Sequence, residues 1–133
     1  MIYPNRIIED FIYKLRENDY FYDKKIVRAY PVEAKETLIK APIISVGIKE
    51  MKFDESSIGD NIKFGNISVG ANIYIPFSAN DITSEEIVCE LCKSVDEFNI
   101  VSIKASEIKA NTDLNCFIVK TVFTFNDEIQ FGG

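Results

Sequence analysis

The sequence predicts an α+β domain: one mixed or antiparallel sheet with two helices packed on one of its faces, in the order α-β-β-β-α-β-β. Three observations predict it. Apolar residues recur at helical spacing in only two segments, and they alternate at a spacing of two in five others. The chain has 133 residues, 47% apolar and 27% charged, the make-up of a single globular domain spanning residues 1–133.

The first helix runs from about Asn5 to Glu17, where Ile7, Ile8, Phe11, Ile12 and Leu15 form one apolar stripe and Pro4 precedes the first turn. "KIVRAYP" reads as a short strand, and the polar stretch "VEAKETLIKA" between Pro31 and Pro42 reads as a loop. Residues 43–53 alternate as a second strand, and "DESSIGD" has turn chemistry. Between Phe64 and Ile67 the apolar parity shifts, which places a bulge or tight turn at Gly65-Asn66 ahead of a strand over 66–77. Thr83 and Glu86 form a capping box for the second helix, whose arc is Ile87, Val88, Leu91, Cys92, Val95 and Phe98. Residues 100–108 make a strand, "ANTDLN" turns, and "CFIVKTVFTF" is a last strand, apolar on both sides and therefore central or covered.

The strand over 66–77 has one dry row, Ile67, Val69, Ala71, Ile73, Ile75 and Phe77. Its other row is small and uncharged. With the helices on the dry side, the opposite side of the sheet gathers Ser45, Gly47, Ser68, Gly70, Asn72 and Tyr74, with Ile118 and Val122. A face of small residues admits close approach, and water is a poor partner for Ile118 and Val122, so this face is expected to meet a neighbouring subunit. Tyr13, Tyr20 and Tyr22 are further interface candidates, because tyrosine anchors many contacts; aromatics after a helix also cap local cores.

The net charge of −6 argues against general nucleic-acid affinity. It is unevenly spread: residues 1–52 hold ten Lys and Arg against eight Asp and Glu, and residues 53–133 hold five against thirteen. Such a split arises by chance in many chains; it also suits a head-to-tail contact between a basic and an acidic patch. No segment has the length or greasiness of a membrane span or a signal peptide, and three cysteines do not make a disulfide framework, so a cytoplasmic, reducing setting is expected.

No histidine occurs anywhere, which removes Ser-His-Asp and Cys-His catalysis and His-bearing metal sites. Cys89-Glu-Leu-Cys92 has the spacing of a redox pair or zinc half-site. It falls inside a helix rather than at its start, and core packing explains it better. "GNISVGAN" lacks the Lys-Ser/Thr of a phosphate loop, and Asp54, Glu55 and Asp60 lack the spacing of a calcium loop. The reading is of a chain with no catalytic residues, no metal and no cofactor, and not of an enzyme.

The element order, the long polar segment before "PIISVGIKEMKF", the alternating strand ending in "NIYIPFS" and the capped helix after it resemble the tail terminator, or collar, family of tailed phages and phage-tail-like bacteriocins. The resemblance covers nearly the whole chain and rests on layout. It implies a homo-oligomeric ring of about six subunits that caps the head-proximal end of the tail tube and stops its polymerisation. In contractile tails the ring also contacts the sheath protein. The implied setting is the bacterial host cytoplasm during assembly and then the tail particle, with no membrane and no nucleic-acid specificity. Rival readings are another neck or head-to-tail joining component, a small cytoplasmic ligand-binding regulatory domain, and an enzyme working through carboxylates alone.

Overall fold

The structure, a computed structural model, describes residues 1–29, 39–59, 61–79, 83–96 and 98–130, leaving aside the side chains of 55–59. The two predicted stripes become α1 (Ile7–Arg16) and α2 (Ser84–Ser94). A 3-10 turn over Asp19–Phe21 follows α1, and the strands are β1 (Lys25–Arg28), β2 (Ile43–Gly59), β3 (Ile62–Pro76), β4 (Ile100–Ala105), β5 (Lys109–Asn111) and β6 (Cys116–Gln130). They form one mixed sheet in the order β1-β2-β3-β6-β4, with β5 also on β6. β1 runs parallel to β2 and every other pair is antiparallel. The expected fold class is therefore the observed one.

Boundaries depart from expectation in four places. "DESSIGD" is not a turn. β2 continues to Gly59, and the chain reverses around Asn61, whose φ of 61° lies in the left-handed region that asparagine tolerates. Pairing along a long hairpin overrides the loss of apolar alternation there, at the cost of register shifts beyond Phe53. Nor is there a bulge at Gly65-Asn66. β3 pairs without interruption with β6, and the irregularity sits on β2, between Ile48 and Glu50. Gly65 is needed for a different reason, since a Cβ there would stand 2.2 Å from the Lys52 carbonyl oxygen. Residues 100–108 divide into β4 and the approach to β5, because Ser106 folds in: its N–H donates to Lys120 O (2.8 Å) and its Oγ accepts from Lys120 N (3.0 Å). The fourth departure is β6, which runs five residues past Phe125. The polar stretch 32–41 lies mostly outside the described residues.

Both helices lie on one side of the sheet. Phe11 of α1 meets Phe123 edge-on at 5.4 Å and lies 6.3 Å from Phe98 and Phe125, and Leu15, Ile87 and Leu91 complete a fully buried layer over Ile67, Val69 and Ile73. Each such side chain contributes roughly 1.5–3 kcal/mol. Thr83 caps α2, its Oγ1 accepting from Glu86 N at 3.2 Å. Asn18 joins the helices: its amide donates to Glu90 Oε2 (2.9 Å) and Ser94 Oγ (3.0 Å), and its carbonyl accepts from Tyr20 N (3.0 Å). β6 lies second from the β4 edge and is paired on both sides, to β3 and to β4 and β5, as an interior strand.

Candidate functional site: the open face of the sheet

Strand parity builds this site. Pairing sets Ser45, Asn72 and Lys120 in one row, Gly47, Gly70, Val122 and Lys104 in the next, and Ile43, Tyr74, Ile118 and Lys109 in a third. All point away from the helices. Six predicted interface residues, Ser45, Gly47, Ser68, Gly70, Asn72 and Tyr74, are thus brought together on one face. Toward the hairpin the polar side chains satisfy one another: Ser68 Oγ lies 3.0 Å from Thr124 Oγ1, and Asn126 Nδ2 donates to Asn66 Oδ1 at 2.7 Å. Asn72 Oδ1 differs, being enclosed and without a partner among the described residues.

The face is not uniformly small and uncharged. The extra residue of the β2 bulge is Lys49, and its methylene stem lies across Gly70, so that a Cβ on Gly70 would sit 2.8 Å from Lys49 Cγ and Cε. Lys25, Lys52, Lys104, Lys109 and Lys120 are exposed on the same side, and none of the six lysines is ion-paired among the described residues. Two shallow clefts lie between them. One, of about 280 Å³, is floored by Ser45, Gly47, Gly70 and Asn72 beside Lys49; the other, of about 260 Å³, is lined by Lys109, Asn111, Ile118 and Lys120.

These lysines come from both halves of the chain, so the charge does not divide by halves in space. The open face carries six lysines against Glu50 and Glu128, which pairing with Ser68 and Phe64 sets on the same side, while the helix side carries both signs. The outer surface of α2 carries Glu85, Glu86 and Glu90 against Lys93, and Asp96 follows in the turn after it. Glu90 is engaged, and its carboxyl is held below the usual range first by the Asn18 hydrogen bond and then by Lys93. Glu85, Glu86 and Asp96 have no ion pair among the described residues. Residue-by-residue reading missed Lys104 and Lys120. Their signal was present, because Lys120 shares parity with Ile118 and Val122.

The three tyrosines separate. Tyr13 and Tyr22 stand out into solvent, 65% and 88% exposed, on the helix side, away from the sheet face. Tyr20 is half-buried. Its ring meets Phe21 edge-on at 5.1 Å, the Lys24 ammonium lies 4.0 Å from its centroid, and its hydroxyl is enclosed without a partner among the described residues. Burial, helped by Glu86, Glu90 and Asp23, pushes its phenol up to about 12. Tyr20 is thus part of the core's rim rather than a surface anchor.

Cys89 is exposed, Cys92 half-buried and Cys116 buried, and burial pushes the Cys92 and Cys116 thiols up, away from the thiolate form that metals and redox partners use. Among the described residues no three His, Cys, Asp or Glu side chains gather as a metal site. The acidic turn lies outside the described residues at Asp60 and outside the described side chains at Glu55. No described helix is long and apolar enough to cross a membrane.

Fold and site together define an α+β domain with one face closed by helices and the other an open, lysine-bearing sheet. No protein-family profile matches the chain, and no curated protein matches it in sequence. Solved structures do resemble it. One, known by an identifier alone, superposes with a TM-score of 0.51 over 91% of this chain and 96% of its own length, at 10% identity. Another is the sheath/tube terminator of PVC, an extracellular contractile injection system, in its extended state. Its TM-score is 0.47 at 12% identity, over 95% of this chain and 56% of that one. At these identities the first likeness establishes a shared fold.

Proposed function

We propose that this chain is a structural subunit that closes into a ring of about six copies and caps a phage or phage-tail-like tube at its head-proximal end, halting polymerisation and, in a contractile tail, touching the sheath. The observation that carries the reading is the two-sidedness of the subunit. Its sheet face is open and bears six lysines against Glu50 and Glu128, and the opposite surface around α2 is acidic. A ring is heterologous association that closes, and it needs two unlike, complementary surfaces on every copy. The layout resemblance to tail terminators points the same way. No catalytic step enters this reading, and its partners are the chain itself, the tube protein and the sheath protein.

The test is tube length. Purified chain added to polymerising tube protein should arrest growth, giving short tubes with a ring at one end by negative-stain electron microscopy. Tubes of equal length with and without the chain would sink the proposal.

A further inference from the structure

We infer that the lysine-bearing sheet face of one copy receives the acidic outer surface of α2 from a second copy. The inference rests on the ring reading for its closure into a circle, while the pairing itself follows from charge and dimensions. Among the described residues, six lysines without ion pairs stand on the sheet face against Glu50 and Glu128, and Glu85 and Glu86 on α2 and Asp96 just past its end also have no ion pair. The complement to each surface is therefore on the same chain, on the other side of the slab, as head-to-tail association requires.

The spans agree. From Glu85 to the end of α2 at Ser94 the helix spans about 14 Å at 1.5 Å per residue, and Asp96 lies just past it. Lys25 on β1 and Lys109 on β5 are separated by four strand steps, about 19 Å at 4.8 Å per step. An acidic helix lying across the strands would thus run from one bank of lysines to the other. Ser45 and Asn72 floor a shallow cleft beside the Lys49 stem that covers Gly70, and Cys89, the small exposed residue in the middle of α2, faces that cleft. A polyanion such as nucleic acid would also satisfy lysines, but the net charge of −6 repels it.

The experiment mixes isotope-labelled and unlabelled full-length chain at millimolar concentration and low salt, cross-links with a zero-length carbodiimide, and identifies mixed-isotope peptides. Links from Lys49, Lys104 or Lys120 to Glu85, Glu86 or Asp96 between copies are expected, fading by at least tenfold in 0.5 M salt. Their absence overturns the inference. Two variants then test the pairing: Lys104→Glu with Lys120→Glu, and Glu85→Lys with Glu86→Lys. Each alone should lose intermolecular links at least tenfold, and an equimolar mixture should recover them, because the second variant's helix matches the first variant's sheet. No recovery, with both variants folded by circular dichroism, overturns the inference, as does single-stranded DNA binding by wild type that the sheet variant loses while its links persist. If the links form as expected but tubes grow unchecked, the terminator reading falls and this pairing stands; capped tubes without the links have the opposite meaning.

Discussion

Replacing Gly65 with alanine should be far more costly than the same change at Gly70, five residues along the same strand. Neither glycine has a left-handed backbone, so conformational freedom does not separate them. Their surroundings do. At Gly65 the new Cβ would lie 2.2 Å from Lys52 O and 3.0 Å from Phe53 Cα, and these are backbone atoms of the paired strand. Reaching ordinary contact requires β2 and β3 to part by about 1 Å. That opens the ladder at Lys52↔Asn66 and Phe53↔Gly65. Two hydrogen bonds weakened at about 1 kcal/mol each, plus a partly dry carbonyl, amount to about 3 kcal/mol. For a domain of this size the melting temperature should drop on the order of 10 °C. At Gly70 the Cβ meets Lys49 Cγ and Cε at 2.8 Å, a side chain that can swing into solvent, and the expected cost is below about 1 kcal/mol. Urea unfolding followed by circular dichroism, with a shared slope, measures both. Equal losses for the two variants, or a Gly65→Ala protein within about 0.5 kcal/mol of wild type, would refute the reasoning.

Two further outcomes follow from side chains already placed. Tyr20→Phe keeps the ring and removes a hydroxyl enclosed without a partner among the described residues, so stability at pH 7 should stay level or rise by about 1 kcal/mol. Because the folded phenol titrates near 12 against 10.0 for the free group, wild type keeps its full stability below pH 10 and loses some as pH rises toward 12; the variant should lose less, and urea titrations at pH 8 and pH 11 would show a parallel fall if the assignment is wrong. Replacing Cys89 and Cys92 together by alanine should cost about 1 kcal/mol, mostly at half-buried Cys92, and leave assembly intact; stoichiometric zinc in the purified wild-type protein would contradict this.

The helices were legible because their stripes are built from residues that do nothing but pack: Phe11, Leu15, Ile87 and Leu91 are wholly buried where the 3.6-residue period puts them. The composition of the sheet's open face was half legible. Parity placed Ser45, Gly47, Ser68, Gly70 and Asn72 together, but the lysines that give the face its charge enter from five strands, and only the register tells which of them meet. Alternation put Lys49 on the same face as Ser45 and Gly47, but its fold over Gly70 depends on a bulge that local composition does not mark. The parity shift near Gly65 was visible in the sequence but marks no bend: β3 runs unbroken, and Phe64 simply lies part-exposed on the open face while Ile67 and Val69 face the helices. Tyr20 misled for a similar reason: an aromatic next to a helix end carries no sign of whether its hydroxyl points to water or is enclosed between two helices.

The position of β6 has a consequence for how the chain is made. It pairs along all of β3 on one side and with β4 and β5 on the other, yet of the described strands it is the last to be synthesised. When Pro76 has emerged, the β2–β3 hairpin can form at once, but the other edge of β3 stays open until Cys116 and its successors appear. At about 5–20 residues per second, those forty residues take roughly 2–8 s. For that time a nascent chain presents a fifteen-residue strand edge, apolar on one face, beside other nascent copies on the same message. Slowing translation between codons 77 and 116 would lengthen the window, and aggregation during expression should grow with it.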